Sequence, residues 1–92
     1  MNAAEPIYLD YNATAPIREE VIALIVEIMA TVGNASSVHQ AGRRARARID
    51  KARQQVADMV GAPVKNVIFT SGGTESDNLA LRGFGPRHLI VS

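Results

Sequence analysis

From Arg18 onward the apolar residues Val21, Leu24, Ile25, Ile28 and Met29 recur at intervals of three and four, the period of an amphipathic helix. Pro16 marks the boundary before it, and Gly33-Asn34 is expected to end it in a left-handed cap. The same period returns in Ala41, Ala45, Ile49, Ala52, Val56 and Met59, which predicts a second, longer helix. Ser37-Val38-His39-Gln40 has the form of a capping box in front of it, and Gly61 followed by Pro63 stops it. Between and around these helices the pattern changes. Ile7-Tyr8-Leu9 is a short β-prone run closed by Asp10-Tyr11-Asn12, which favours a turn. Val64 to Thr70 reads as a strand, with Val67-Ile68-Phe69 apolar enough to be buried on both faces. Ser71-Gly72-Gly73 reads as a tight turn, and Thr74-Glu75-Ser76-Asp77 as a second capping box. A third helix follows through Asn78, Leu79 and Leu81, broken by Gly83 and Gly85-Pro86 before a strand from His88 to Val91.

The expected order is therefore strand, helix, helix, strand, helix, strand, an α/β arrangement. Its last three elements should form a βαβ unit with parallel strands and a right-handed crossover. A parallel strand needs neighbours on both edges, and 92 residues leave few to supply them, so the chain is expected to be a fragment of a larger domain.

Composition narrows the function classes. An apolar fraction of 47% is that of a globular protein, and a formal net charge of +1 exerts no global pull toward nucleic acid or membrane. The chain has no cysteine, which excludes disulfides, thiolate metal sites and cysteine nucleophiles within these residues. Its two histidines lie far apart and give no metal-ligand set. The longest apolar run, Val21 to Val26, stops at Glu27, well short of the roughly 20 residues that span a bilayer. The opening Met-Asn-Ala-Ala-Glu-Pro has neither the basic nor the apolar region of a secretory signal, and a cytoplasmic protein is the expectation.

The segment Phe69 to Ser76 carries the candidate chemistry. Glycines placed between a core strand and a helix start allow close approach of an anion to outward-pointing amides, helped by the helix dipole and by the hydroxyl of Thr74. The competing reading makes Thr74 an N-cap and the glycines a simple turn. Neither a P-loop nor a G-x-G-x-x-G pattern is present, so a single phosphate monoester suits the segment better than a dinucleotide or nucleoside triphosphate.

Other features have ordinary explanations. Arg43, Arg44, Arg46, Arg48, Lys51 and Arg53 read as the solvated face of a helix, because no aromatic residues are interleaved for base stacking. An acidic partner surface is a further possibility. His39 reads as a capping or interface residue rather than a catalytic one, and His88 as structural. Nothing aims Ser36 or Ser37 at a base and carboxylate as a hydrolase would require.

Three motifs in order carry a resemblance. Tyr8-Leu9-Asp10-Tyr11-Asn12-Ala13-Thr14-Ala15-Pro16 is similar to the opening of class V aminotransferase-type pyridoxal-phosphate enzymes. Gly33-Asn34-Ala35-Ser36-Ser37-Val38-His39 resembles that family's Gly-Asn-Pro-Ser-Ser-x-His loop, and Phe69 to Asn78 its Thr-Ser-Gly-Gly/Ala-Thr-Glu-Ser-x-Asn segment. Together they resemble the cysteine desulfurase branch. Ala15 and Ala35 depart from the family's usual threonine and proline.

The resemblance implies the N-terminal part of a fold-type-I enzyme. Residues 1–16 would form the N-terminal strand and active-site loop, and 17–92 the start of the cofactor-binding large domain with its mostly parallel sheet. It implies pyridoxal 5'-phosphate as cofactor, with Gly73 and Thr74 at its phosphate, and Asn12, Ala13, Thr14, Asn34 and Ser36 near the substrate side of the pocket. It further implies a homodimer that converts L-cysteine to L-alanine. The sulfur would pass as a persulfide to an acceptor or scaffold protein, for iron–sulfur cluster or other sulfur-cofactor assembly. The family's Schiff-base lysine and persulfide cysteine have no counterpart in these residues; Lys51 and Lys65 match neither, and these residues alone should be inactive. A selenocysteine lyase or another class V enzyme, such as a kynureninase-like hydrolase, is the near alternative. A small α/β module that binds an anion or partner and catalyses nothing is the distant one.

Overall fold

A computed structural model describes residues 3–85 and 88–90. The chain divides into two compact units, Met1–Gly33 and Asn34–Ser92.

The first unit contains α1, Glu19–Met29. Glu19 and Glu20 stand in its first turn, where the helix dipole favours acidic side chains. The Arg18 carbonyl accepts from the amides of Val21 and Ile22 at 3.0 and 3.2 Å. The helix ends before the expected Gly33-Asn34 cap, and neither of those residues adopts a positive φ. Thr31 closes it instead: both its amide and its hydroxyl donate to the Ile28 carbonyl, at 3.0 and 2.7 Å. The expected strand at Ile7–Leu9 is not formed. That stretch is irregular, with Ile7 and Leu9 exposed, and it leads into a turn around Asn12.

The second unit is built on α2, Gln40–Val60, the longest helix. Gly61 ends it at φ 66°, ψ 33°, with Ala62 N–H donating to the Ala57 carbonyl and Gly61 N–H to that of Asp58. These two bonds form a Schellman motif, the termination that Gly61-Pro63 predicts. The expected Ser37–Gln40 capping box is absent: the N-cap position is His39, whose side chain caps nothing, and Gln40 is already helical. The Ser37 amide donates to the Asn34 carbonyl instead, at 2.9 Å.

Val64–Asn66, expected as the start of a strand, is one turn of 3-10 helix packed against α2. Pro63 sets it up, and its carbonyl accepts from the Asn66 amide at 2.9 Å. The backbone becomes extended only at Val67 (φ −92°, ψ 118°). From there to Thr70 it pairs with no strand among the described residues, and Ile68 and Phe69 are exposed rather than buried on both faces. The reason is physical: an isolated extended segment gains no ladder hydrogen bonds, so its β pattern has nothing to act on. Arg53 partly covers this segment, its guanidinium 5.4 Å from the centre of the Phe69 ring.

α3, Gly73–Gly83, follows, and Gly85 breaks the chain direction at φ 53°. The expected break at Pro86 lies outside the described residues. The expected strand from His88 is not formed through Ile90, where Leu89 and Ile90 are exposed, and Val91 again lies outside them. Among the described residues there is thus no strand, and the βαβ unit is not realised. Ala57 is the one buried apolar side chain among them.

Candidate functional site

The glycine segment turns out differently from a cap and a turn. α3 begins at Gly73, so Thr74 is its second residue, and neither it nor any other side chain caps the helix. The expected Thr74–Asp77 capping box is therefore absent. Gly72 occupies the N-cap position in a fully extended conformation, φ 169° and ψ −179°, which any residue adopts. Neither Gly72 nor Gly73 lies in the left-handed region, and a Cβ added to either would meet no protein atom within 4 Å. Neither backbone conformation nor packing against these residues requires glycine here. What the pair provides is bare backbone at the open end of a helix.

The first-turn amides of α3 have no intrahelical acceptors, and the helix dipole places partial positive charge at them. Side chains brace the turn from either side. The Thr70 hydroxyl donates to the Gly72 carbonyl at 3.1 Å and pairs with the Ser76 hydroxyl. The Glu75 carboxylate reaches back past the N-cap and accepts from Ser71 twice, from the amide at 2.8 Å and from the hydroxyl at 2.5 Å. The Ser71 hydroxyl, and then its amide, holds this carboxyl below its ordinary value of 4.5. Glu75 is thus an anion with one oxygen, Oε2, held by Ser71. Asn78 braces the next turn, its amide donating to the Thr74 carbonyl at 2.8 Å. The donors left at the tip, two glycine-flanked amides and the Thr74 hydroxyl, suit a phosphate group.

The remaining candidate residues fall in both units. In the first, Asn12, Ala13 and Thr14 form the turn after Tyr8. The Asp10 carbonyl accepts from the amides of Ala13 and Thr14 at 3.1 and 3.4 Å and from the Tyr8 hydroxyl at 2.7 Å. Tyr8 and Tyr11 stack obliquely, with centroids 5.7 Å apart.

In the second unit, Asn34 spends its side-chain oxygen on the Ser36 amide at 2.9 Å, an Asx turn that fixes the loop. Ser36 lines a hollow of about 170 Å³ together with Ala35, Arg46, Ile49, Asp50 and Arg53. Sequence reasoning missed the residue that makes this loop possible. Gly42 is buried in the first turn of α2, and a Cβ there would collide with the backbone oxygens of Asn34 and Ser37. No periodic pattern signals it, because the constraint comes from the loop packed above.

Within the basic stretch, Arg43 and Arg53 are tied to their surroundings. Arg43 donates to the Val38 carbonyl at 2.6 Å, and Arg53 pairs with Asp50 at 2.9 Å while lying over Phe69. No group of side chains that could hold a metal occurs among the described residues, and no helix there is long and apolar enough to cross a membrane.

Comparison with known proteins places these features. The chain is 53% identical over 76 residues to an IscS-like cysteine desulfurase of Mycobacterium tuberculosis (strain ATCC 25618 / H37Rv), covering 83% of this chain and 19% of that protein. It is 49% identical over 97 residues to cysteine desulfurase IscS of Escherichia coli O139:H28 (strain E24377A / ETEC), covering 95% and 24%. A cysteine desulfurase IscS of Dictyoglomus turgidum (strain DSM 6724 / Z-1310) is 47% identical over 93 residues, covering 94% and 24%. The chain thus spans about a fifth to a quarter of the length of these relatives. The family model for aminotransferase class-V matches residues 7–91, taking in all three motifs and the open end of α3, and the chain belongs to that family.

Proposed function

We propose that this chain forms the N-terminal, phosphate-gripping part of a pyridoxal-phosphate-dependent cysteine desulfurase. One observation carries the reading: two glycines open α3 where neither conformation nor neighbouring atoms call for glycine, leaving uncapped amides beside a hydroxyl. Such a donor set fits a phosphate monoester, and a Cβ-free backbone lets it approach closely. The similarity to proteins named cysteine desulfurase supports the choice of reaction.

On this reading the amides of Gly73 and Thr74, with the Thr74 hydroxyl, hold the cofactor's phosphate. Asn12, Ala13, Thr14, Asn34 and Ser36 line the substrate side. When bound, pyridoxal phosphate supplies an electron sink for bond changes at the substrate's α-carbon. The residues described here contribute binding and orientation: they hold a handle remote from the reacting bond so that the ring is positioned. No proton transfer falls to them.

The same reading makes the extended Val67–Thr70 segment part of a mostly parallel sheet in a fold-type-I domain. The protein would be a cytoplasmic homodimer that takes L-cysteine and hands its sulfur to an acceptor protein for iron–sulfur cluster assembly.

The decisive experiment assays the full-length protein with pyridoxal phosphate on L-cysteine, selenocysteine and kynurenine, measuring alanine release. Turnover of L-cysteine above the other two is the expected result. A preference for selenocysteine or kynurenine would move the protein to another class V activity, and no turnover with any of them would overturn the enzyme assignment.

A further inference from the structure

The first turn of a helix attracts anions, and α3 already carries one there, Glu75. A carboxylate left free at that position would compete with a bound phosphate for the same amides, or repel it. The hydrogen bonds to Ser71 avoid the first. The Glu75 carboxylate is engaged on the far side of the N-cap, where one oxygen, Oε2, accepts from both the amide and the hydroxyl of Ser71. Across the same turn the Thr70 hydroxyl touches the Gly72 carbonyl and the Ser76 hydroxyl. Residues 70 and 71 are thereby tied to residues 75 and 76, and the two glycines form the tip of a closed loop. Glycine is the residue with most backbone freedom to lose, so an untied Gly72-Gly73 tip would sample many conformations.

We propose that Glu75 is a positioning residue for the phosphate cradle: by clamping Ser71 it fixes the Gly72-Gly73 tip with the Gly73 and Thr74 amides open to an anion. The inference rests on the phosphate-binding reading above. It assigns Glu75 no contact with the cofactor. Its work is done through the backbone of Ser71, and it turns a flexible glycine pair into a preorganised site.

The test measures equilibrium binding of pyridoxal phosphate and of pyridoxal, which lacks the phosphate, to the full-length protein freed of cofactor. A general loss of structure weakens both ligands, whereas a disordered cradle weakens only the phosphorylated one. Glu75→Ala is expected to lower the preference for pyridoxal phosphate over pyridoxal roughly fivefold, the size of a lost helix-terminal hydrogen bond. Glu75→Gln keeps an oxygen that accepts the Ser71 amide and should retain most of the preference. Ser71→Ala removes only the hydroxyl bond and should fall between the two, which keeps the inference testable if Glu75→Ala does not fold. An unchanged preference in Glu75→Ala and Ser71→Ala, or a loss in Glu75→Gln as large as in Glu75→Ala, overturns the clamp. Thr74→Ala separates the two levels of the reading. If it lowers the preference while the Glu75 and Ser71 variants do not, the clamp alone is wrong; if Thr74→Ala too leaves it unchanged, the phosphate site itself is wrong.

Discussion

Gly42 shows how a single hydrogen in place of a methyl group can decide the course of a loop. It occupies the first turn of α2 directly beneath residues 34–37, and a Cβ built there would stand 2.6 Å from both the Asn34 oxygen and the Ser37 Cβ. Two opposing effects bear on Gly42→Ala. Alanine improves helix propensity by about 1 kcal/mol, while forcing a methyl group against packed atoms costs about 1–3 kcal/mol. The second effect wins here, because the obstructing atoms are mainly backbone oxygens, that of Asn34 held by the Ser37 amide, with no flexible side-chain end to swing aside. Gly42→Ala in the full-length protein should therefore lower stability, by up to about 2 kcal/mol once the two terms are netted, read from the denaturation midpoint. A midpoint equal to or above wild type would show that the loop yields. By contrast, Gly72 and Gly73 face no such neighbours, so glycines of one sequence serve opposite purposes. Only the second kind was legible in the sequence, since its signal is local: two glycines, a threonine and a helix start.

At the scale of elements, α2 is the best-specified piece. Its Schellman termination depends on Gly61 at φ 66°, a region in which an L side chain crowds its own backbone. Nothing lies within 4 Å of a Cβ at that position, so the cost of a side chain there is conformational alone. Gly61→Ala should lose about 1 kcal/mol, and Gly61→Asn less, because asparagine tolerates the left-handed region. Urea denaturation of the two variants beside wild type measures this, and equal losses would contradict the conformational account. The same logic explains which elements could be anticipated. The three helices follow from spacing and stop signals, which act within a few residues. Their ends are harder to read, because a capping sequence need not cap: Ser37 and Thr74 cap nothing, while Thr31 and Glu75 make bonds that the pattern does not single out. The strands fared worse. Val67-Ile68-Phe69 has a strand's composition and Val67 a strand's dihedrals, yet a strand becomes a sheet only through partners far away in sequence.

For the molecule as a whole, the decisive quantity is how little apolar surface these residues cover among themselves. Of the described apolar side chains only Ala57 is buried, whereas Leu24, Ile25, Ile68, Leu79 and Phe84 are all more than 40% exposed. A groove of about 400 Å³ beside Ile68, Thr70, Leu79 and Phe84 adds to this uncovered surface. Chain entropy costs roughly 1–2 kcal/mol per ordered residue, and burial of apolar surface is the main term that offsets it. With almost no core, residues 1–92 on their own cannot offset that cost, whatever their helices gain locally. Expressed alone, they should bind a hydrophobic dye such as ANS strongly and lose helical circular dichroism gradually on heating, without a cooperative transition. The same residues inside a longer chain that covers their apolar surface should bind little dye and melt cooperatively. A sharp, concentration-independent melt of residues 1–92 would reverse the conclusion and revive the free-standing anion-binding module. The open end of α3 would then have to work without a pocket around it. An exposed dipole end of that kind contributes only about 0.3–1 kcal/mol toward an anion, too little for a useful affinity. A phosphate held at Gly73 and Thr74, as proposed above, would therefore need further protein around it, just as Ile68, Leu79 and Phe84 would need it to be covered.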